Sequence, residues 1–567
     1  MKIKKMKFTK EAAHDISGKW YGKNWPVVYI LNNRKEAYVG ETISATNRLR
    51  QHLENAQRTE LTEVNIISHD KFHKSAVLDI ESKLIEYMSA DDKYKLQNSN
   101  SGMRNHDYYQ KEIYDKMFQK IWSELKRNEI VKNDLDVLMN SDLFKYTPYK
   151  RLTEEQYSVV YEMVLDMVVS IEIGQSTTTV INGEAGTGKT VMAMYLMKLF
   201  ADDKVFEFLE KEDYAGKFID RFEKTRQIIK DYKIALVVPM TSLRKTLKEV
   251  AKNIKGLQAS MVIGPSDVVK DDYDISIVDE SHRLARRVGL PNYGSHDKVN
   301  RSLGIDIESS QLEWILLRSK HQIFFYDNAQ SVRPGDVLPQ DFQELKKDHN
   351  YISYSIISQL RVMGGNDYIN YIKKIFEQTQ DHKIESFGDY EFMLFENISD
   401  MKFYIHEKEE MHGLSRMLAG YAWKWVTKKK KNKEIDPDLY DIVIQDEKFK
   451  WNSTNSGWVN SKNAIHEVGS IHTIQGYDLN YAGIIIGEDL KYDTKIKSFT
   501  SDKADYYDRN GKVTITDPKQ LLNYIINIYQ VLLTRSIKGT FIYVVDDGLR
   551  DYLSQFIKLY DANGNHS

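Results

Sequence analysis

Short apolar runs, each closed by polar or glycine residues, recur along the chain and set its predicted elements. The first two, Val27-Val28-Tyr29-Ile30-Leu31 and Ala37-Tyr38-Val39-Gly40, flank Asn32-Asn33 and read as a hairpin. Residues 177–182, 234–238, 273–278, 323–326, 482–487 and 540–545 are β-branched or apolar almost throughout and read as buried strands. Helical spacing appears between them. Arg48-Leu49-Arg50-Gln51-His52-Leu53 predicts an exposed helix whose Arg48 and His52, four apart, share a face. A helix over 76–88 carries Glu81 with Leu84 and Ile85 behind it. Ile113, Met117, Ile121 and Leu125, with Phe118 and Trp122 beside them, predict a long amphipathic helix over 108–133 that joins two halves of the chain. Residues 488–519, charged and rich in Asp, Lys and Tyr, predict a mobile surface insertion, and 561–567 a disordered tail.

Composition narrows the setting. At 567 residues the chain exceeds a single core, so three or four domains are expected. A hydrophobic fraction of 41% and a charged fraction of 29% fit a soluble globular protein. The lack of cysteine excludes disulfides and thiolate zinc sites and suits a reducing, cytoplasmic setting. No apolar run approaches the ~18 residues that span a bilayer, and the basic residues 1–5 are not followed by the apolar stretch of a secretory signal. With a formal net charge of −2, nucleic acid must be held by local basic surfaces.

Chemistry enters at Gly183-Glu184-Ala185-Gly186-Thr187-Gly188-Lys189-Thr190, between a predicted strand and the predicted helix over 191–197. Glycines let backbone N–H groups close around phosphate, and a helix N-terminus favours anions. This is a nucleotide site for ATP, with Lys189 on the β- and γ-phosphates and the Thr190 hydroxyl on Mg²⁺. Strand 273–278 ends in Asp279-Glu280, the acidic partner such a loop needs. Asp279 is expected to hold the Mg²⁺ hydration shell, and Glu280 to orient and deprotonate the attacking water. Gln156 offers an amide able both to donate to and to accept from adenine. Met240-Thr241-Ser242-Leu243-Arg244, after a strand, suits either phosphate-backbone contact or a helix N-cap. Lys428-Lys429-Lys430-Lys431-Asn432-Lys433, after Trp423 and Trp425, reads as a solvated loop or as a phosphate-tracking loop beside stacking surfaces.

The N-terminal residues resemble the GIY-YIG nuclease family over about 24–102. Tyr29 falls on the first motif's tyrosine, Tyr38-Val39-Gly40 on the second motif, Arg48 on the catalytic arginine and His52 on a further active-site position. Glu81 matches the metal-binding glutamate and Asn98 a late asparagine. The resemblance implies phosphodiester hydrolysis: tyrosine assists deprotonation of water, Mg²⁺ on Glu81 stabilises the leaving oxygen, and Arg48 offsets charge on phosphorus. The first motif departs from the family in having Val27 where a glycine is usual.

Further on, the chain resembles superfamily 1 helicases. Asp327 and Gln330 follow the strand 323–326, and Gln359-Leu360-Arg361 resembles the motif whose arginine contacts γ-phosphate from a second lobe. Gly469 to Asp478, with Thr473, Gln475 and Gly476, resembles the motif that couples nucleic acid to ATP, and Leu533-Thr534-Arg535 the last motif, with Arg535 a second arginine finger. Ser358-Gln359-Leu360-Arg361, Leu418-Ala419-Gly420-Tyr421-Ala422-Trp423 and Trp451-Asn452 narrow the resemblance, over about 144–550, to Schlafen-type proteins and a related group of bacterial ATPases.

The expected architecture is α/β: a GIY-YIG nuclease domain (1–105), a helical linker (106–143), two RecA-like parallel-sheet lobes (144–345 and 346–555) and a tail (556–567). The expected function is an ATP-dependent nucleic-acid translocase or helicase fused to a Mg²⁺-dependent endonuclease, acting in repair or in defence against foreign DNA. DNA is the favoured substrate and RNA the alternative. A nucleotide-gated clamp that neither unwinds nor cuts, and an RNA-directed nuclease, are the competing readings.

Overall fold

The computed structural model describes residues 2–98, 108–150, 152–201, 205, 223–290, 292–327, 330, 333–347, 350–381, 383–427, 438–454, 457–474, 477–512 and 515–561. The chain divides into two compact units, one of Met1–Ser176, Thr190–Leu236 and Thr246–Val262, the other of Thr177–Lys189, Val237–Lys245 and Ile263–Ser567.

In the first unit a five-stranded sheet has the order β1 (Lys2–Lys7), β4 (Glu63–Ser68), β2 (Val27–Asn32), β3 (Glu36–Thr42), β5 (Lys95–Leu96). The predicted hairpin is β2–β3, and Asn33 makes its turn by accepting from the N–H groups of Lys35 and Glu36, both at 2.7 Å. Register places Tyr29 opposite Gly40, and Val27 opposite Thr42. A Cβ at Gly40 would meet Tyr29 Cζ at 2.5 Å, so glycine is required there. Val27 is two residues away from that approach and fully buried in the core with Leu31, Leu49 and Ile66, so the departure from the family motif leaves the Tyr29–Gly40 packing intact.

The predicted helix over 108–133 spans Lys111–Arg127 and buries the predicted Phe118, Ile121, Trp122 and Leu125; only its first turn differs. Tyr114, Phe118, Ile121, Trp122 and Leu125 turn inward, while Ile113 is 47% exposed. Aromatic bulk decides the face: Phe118 and Trp122 pack on Tyr87 of the helix Lys74–Ala90, at ring distances of 5.3 and 5.8 Å. Tyr114 donates to the Lys71 carbonyl at 2.6 Å, and Asp115 pairs with Lys83. The segment expected to be a joint is therefore packed into the N-terminal body.

The rest of the chain forms two largely parallel sheets of RecA-like type, the division between the units falling within β7 and β8 of the first. The first has the order β11 (Tyr351–Ile356), β6 (Thr177–Gly183), β10 (Ser319–Tyr326), β9 (Tyr273–Val278), β7 (Ile234–Val237), β8 (Val262–Ile263). The second has the order β12 (Glu391–Phe395), β20 (Ser536–Val544), β17 (Leu479–Ile486), β13 (Ser415–Ala419), β16 (Glu467–Ser470), β15 (Glu447–Trp451), β14 (Ile442–Ile444), with an antiparallel hairpin at the β14 edge. β17, buried along its whole length, and the buried run His321–Tyr326 of β10 explain the uninterrupted apolar runs seen in sequence.

Residues 488–519 are not a loose insertion. β18 (Lys491–Asp493) and β19 (Ser498–Thr500) form a hairpin, and Leu490, Phe499, Tyr506 and Ile515 lie in the same core cluster as Ile484 and Tyr529. Its charged composition hid four apolar anchors spaced too widely to show a period. Trp423 and Trp425 pack against the core beside Trp451. The lysine run 428–433 and the tail beyond Asp561 lie outside the described residues. No helix among the described residues is long and apolar enough to cross a membrane.

Candidate active sites

β6 ends at Gly183 and the chain turns through Glu184 to Gly188 into a helix that starts at Lys189. Gly186 (φ +86°) and Gly188 (φ +80°) occupy the left-handed region that glycine alone adopts freely. A Cβ at Gly183 would meet Thr187 Oγ1 at 2.6 Å, and one at Gly186 would collide with Gln359 Oε1. This is a backbone cradle that side chains would fill. Lys189 is 6% exposed and donates to the carbonyls of Gly183 (2.6 Å) and Glu184 (2.7 Å) and to Asp327 Oδ2 (3.1 Å). Thr190 is the next residue on the helix and is half-buried.

Asp279 and Glu280 leave the end of β9 beside this loop's sheet. Asp279 is fully buried; its N–H donates to the Val237 carbonyl and its Oδ1 accepts from the Glu280 N–H, both at 3.0 Å. Glu280 is held at φ +51°, a costly conformation for a residue with a Cβ. Burial alone would push its acidity down, yet His282, whose Nε2 lies 3.1 Å from Oε2, together with the charges of Lys189 and Arg535, outweighs it. Glu280 is thereby held well below the usual carboxylate range.

Two arginines approach from elsewhere in the chain: Arg361, in the segment after β11, and Arg535, immediately before β20 of the second sheet. Gln330 Nε2 donates to Asp327 Oδ2 at 2.6 Å, and its Oε1 accepts from Arg535 Nη2 at 2.8 Å. An unbroken chain, Lys189–Asp327–Gln330–Arg535, therefore runs from the loop to the residue just beyond the C-cap Thr534 of the helix Pro518–Leu533. Arg535 is 2% exposed; burial, then the neighbouring Arg361 charge, brings its pKa down to about 10, still protonated at neutral pH. Arg361 pairs through Nε with Asp478. The segment carrying Arg361 is strapped to the loop: Gln359 Nε2 donates to the Ala185 carbonyl (2.6 Å) and the Leu360 N–H to the Gly186 carbonyl (2.9 Å).

Other expected residues have different tasks. Gln156 is buried as the third residue of a helix capping box, its Oε1 accepting from the Thr153 N–H at 3.1 Å. That contact engages the amide oxygen at the start of its own helix. Arg244 folds back onto the Val238 carbonyl at 2.7 Å and caps the end of a strand. Gln475 and Gly476 lie outside the described residues. His472, from the same motif, is buried against Asp508 Oδ2 (3.3 Å) and meets Arg333 Nη2 at 2.6 Å; burial pushes its pKa down to about 4, so it is neutral.

The N-terminal residues also converge. Tyr29 OH lies 2.7 Å from His52 Nε2 and accepts from Arg48 Nε at 3.4 Å, which leaves the tyrosine proton for His52. Burial, reinforced by the charges of Arg48 and Arg58, pushes His52 down to about 4, so it is a neutral acceptor at pH 7. Burial, then the neighbouring Tyr38, raises Tyr29 well above its ordinary value, so it remains protonated. Tyr38 lies 5.0 Å from the His52 ring. Glu81 is pushed up to about 7 by burial and then by Glu41, whose other partner is Lys74 at 2.5 Å. Asn98 brackets the middle of β3, its Oδ1 accepting from the Val39 N–H and its Nδ2 donating to the Val39 carbonyl.

Three participants escaped the sequence reading. Arg58, with its guanidinium 4.0 Å from the Tyr38 ring centroid, lies beyond the Arg48 helix and shares no period with it. Glu41 follows Gly40 directly and was findable as the next carboxylate along the motif strand. Asp478 was quoted only as a motif letter, and its pairing with Arg361 needs the fold.

The family described as Schlafen group 3, DNA/RNA helicase domain, matches residues 176–546. The chain belongs to this Schlafen helicase family. An uncharacterized protein of Saccharomyces cerevisiae, YPL245W, is 26% identical over 413 residues, covering 66% of this chain and 83% of its own length. Among solved structures, Bacteroides Pif1 bound to ssDNA is 12% identical with a TM-score of 0.25, covering 72% of this chain and all of the other. The arterivirus nonstructural protein 10 helicase is 11% identical with a TM-score of 0.28; the match takes in 70% of this Schlafen-type chain and 64% of the viral one. Neither structural likeness bears on how the site is read.

Proposed function

We propose that this chain is an ATP-driven nucleic-acid motor of the Schlafen helicase family joined to a GIY-YIG-type nuclease, with domains over 1–105, 144–345 and 346–555. The observation that carries the motor is the chain Lys189–Asp327–Gln330–Arg535, which ties the phosphate-type loop to an arginine of the second sheet. The glycine cradle fits phosphate, and Lys189 and Asp279 are the residues to hold ATP and its Mg²⁺. Bound ATP supplies the scissile phosphoanhydride. Lys189 meets its charge, Glu280, held ionised, orients water and accepts its proton, and Arg361 and Arg535 offset charge as the bond breaks. Gln330 bonds to both Asp327 and Arg535, so loss of either contact passes between the sheets.

For the nuclease the carrying observation is the convergence of Tyr29, Arg48, His52 and Glu81. Neutral His52 takes the Tyr29 proton as Tyr29 takes one from water, and Arg48 offsets charge on phosphorus. Among the described residues no three His, Cys, Asp or Glu side chains cluster to cage a metal. A hard cation that keeps its waters needs fewer, and Glu81, half-buried and near Glu41, is the residue that would hold Mg²⁺, whose charge would stabilise the leaving oxygen.

The test is incubation of the purified chain with labelled single- and double-stranded DNA and RNA, with Mg²⁺, with and without ATP. Cutting assigns the nuclease, and the substrate cut assigns the sugar. Nucleic-acid-stimulated phosphate release without cutting favours the clamp or motor alone.

A further inference from the structure

Between the first helix and β2 the chain carries Lys19-Trp20-Tyr21-Gly22-Lys23-Asn24-Trp25, a stretch that neither proposed chemistry uses. Trp20 is 51% exposed, although an indole of this size is usually covered on folding. It is not a loose side chain. Its ring stands edge-on to Tyr21 and to Trp25, each with centroids 5.4 Å apart, and Trp25 is packed on the domain core. Trp25 Nε1 donates to the His69 carbonyl at 3.0 Å, and the Trp25 N–H to the Ile43 carbonyl at 2.9 Å. An indole is thus held upright by a rigid base, with half its surface in water.

The position of this base gives it meaning. The Gly22 carbonyl accepts from both the N–H and the hydroxyl of Thr46, at 3.1 Å each, in the first turn of the helix Ala45–Glu54. Arg48 is two residues further along that helix, a rise of ~3 Å. A side chain on Gly22 would strike the Ile16 carbonyl, so the loop cannot withdraw to relieve the contact. Trp25 lies two residues before Val27, at the end of β2 whose third residue is Tyr29. The aromatic cluster is therefore fixed to the two elements that carry Tyr29 and Arg48. Lys19 and Lys23 flank it in sequence, both exposed, and Arg48 is exposed on the helix that the Gly22 carbonyl holds.

An exposed indole bracketed by lysines has the chemistry of a base-stacking platform: the π-face takes a base and the ammonium groups take the flanking phosphates. A base in a duplex is stacked on its neighbours and cannot lie on it. We infer that Trp20, supported by Trp25 and flanked by Lys19 and Lys23, stacks an unpaired base and so places a single strand of nucleic acid across Arg48 and Tyr29. This rests on the nuclease reading for its consequence, though the binding itself does not.

The full-length protein is irradiated with a single-stranded oligonucleotide carrying one 5-iodouracil, in DNA and RNA forms, and adducts are mapped by mass spectrometry. Cleavage kinetics are measured in parallel on wild type, Trp20→Ala and Trp20→Phe. The expected result is an adduct on Trp20 with the single strand and not with a blunt duplex. Trp20→Ala is expected to raise KM about tenfold with kcat within twofold, since a stacked base is worth on the order of tenfold in affinity, and Trp20→Phe to keep most of the affinity. Adducts absent from Trp20, equal adducts with duplex, or a KM unchanged in Trp20→Ala would each overturn the inference. A Trp20 adduct in a protein that cuts nothing would leave the platform standing and remove the nuclease, and the ratio of DNA to RNA adducts assigns the sugar.

Discussion

Glu81 and Glu280 are the same side chain, both withdrawn from water, and they titrate in opposite directions. Glu81 has burial and the Glu41 carboxylate around it, and is pushed up to about 7. Glu280 has His282, Lys189 and Arg535, and is held low. A carboxylate surrounded by cations stays ionised and can orient water, though the same cations weaken it as a proton acceptor. A carboxylate beside another carboxylate waits for a cation from outside. The two regions thus differ in their electrostatics: Glu280 has cations of the chain itself around it, and Glu81 has a second carboxylate.

The largest effect should come from breaking the motor's internal supply of charge. Arg535→Ala is expected to lower ATP hydrolysis by ~10³–10⁵ while nucleotide binding persists. Phosphate release beside a fluorescent-nucleotide titration separates the two, and binding that collapses as far as turnover would contradict the two-sheet site. Arg48→Ala is expected to lower cutting by ~10²–10³ and to leave ATPase unchanged, measured on one preparation.

Stability against pH sharpens the contrast directly. The Glu81 pKa is higher folded than unfolded, so its relative stabilisation is full near pH 4.5 and lost as pH rises through about 7. In EDTA at pH 8, Glu81→Gln should therefore be more stable than wild type, by up to about 3 kcal/mol, the gap closing toward pH 5. Glu280 is lowered, so its contribution is present at neutral pH and lost in acid. Glu280→Gln should be less stable than wild type at pH 7, with a difference that shrinks on acidification. Chemical denaturation across pH reads both, and equal signs would break the comparison. The smallest effect is Gln359→Ala, which frees the Ala185 carbonyl and the Arg361 N–H. About 1 kcal/mol of stability and a modest rise in nucleotide Kd are expected.

The strands were legible because buried parallel runs are continuous, as in β6, β9 and β10. The phosphate-type loop was legible because glycine spacing is a local backbone requirement that one short stretch satisfies. What was not legible depends on partners far along the chain. Nothing in the spacing of Gln330 says that one face of its amide meets Asp327 and the other Arg535. In the helix Lys111–Arg127 the aliphatic period held at Ile121 and Leu125 and failed at Ile113, where Tyr114 turns inward instead, onto the distant Lys71 carbonyl. The 488–519 segment misled because charge dominated its composition while Leu490, Phe499, Tyr506 and Ile515 did the packing.

The central claim is that one chain holds two independent hydrolytic centres. Cutting of a labelled single strand and phosphate release are measured together on wild type, Lys189→Ala and Arg48→Ala, with Mg²⁺ and ATP. The account predicts that Lys189→Ala loses phosphate release and still cuts, while Arg48→Ala stops cutting and still releases phosphate. Loss of both activities in either variant, in protein that remains folded, or cutting that survives Arg48→Ala at the wild-type rate, would contradict it.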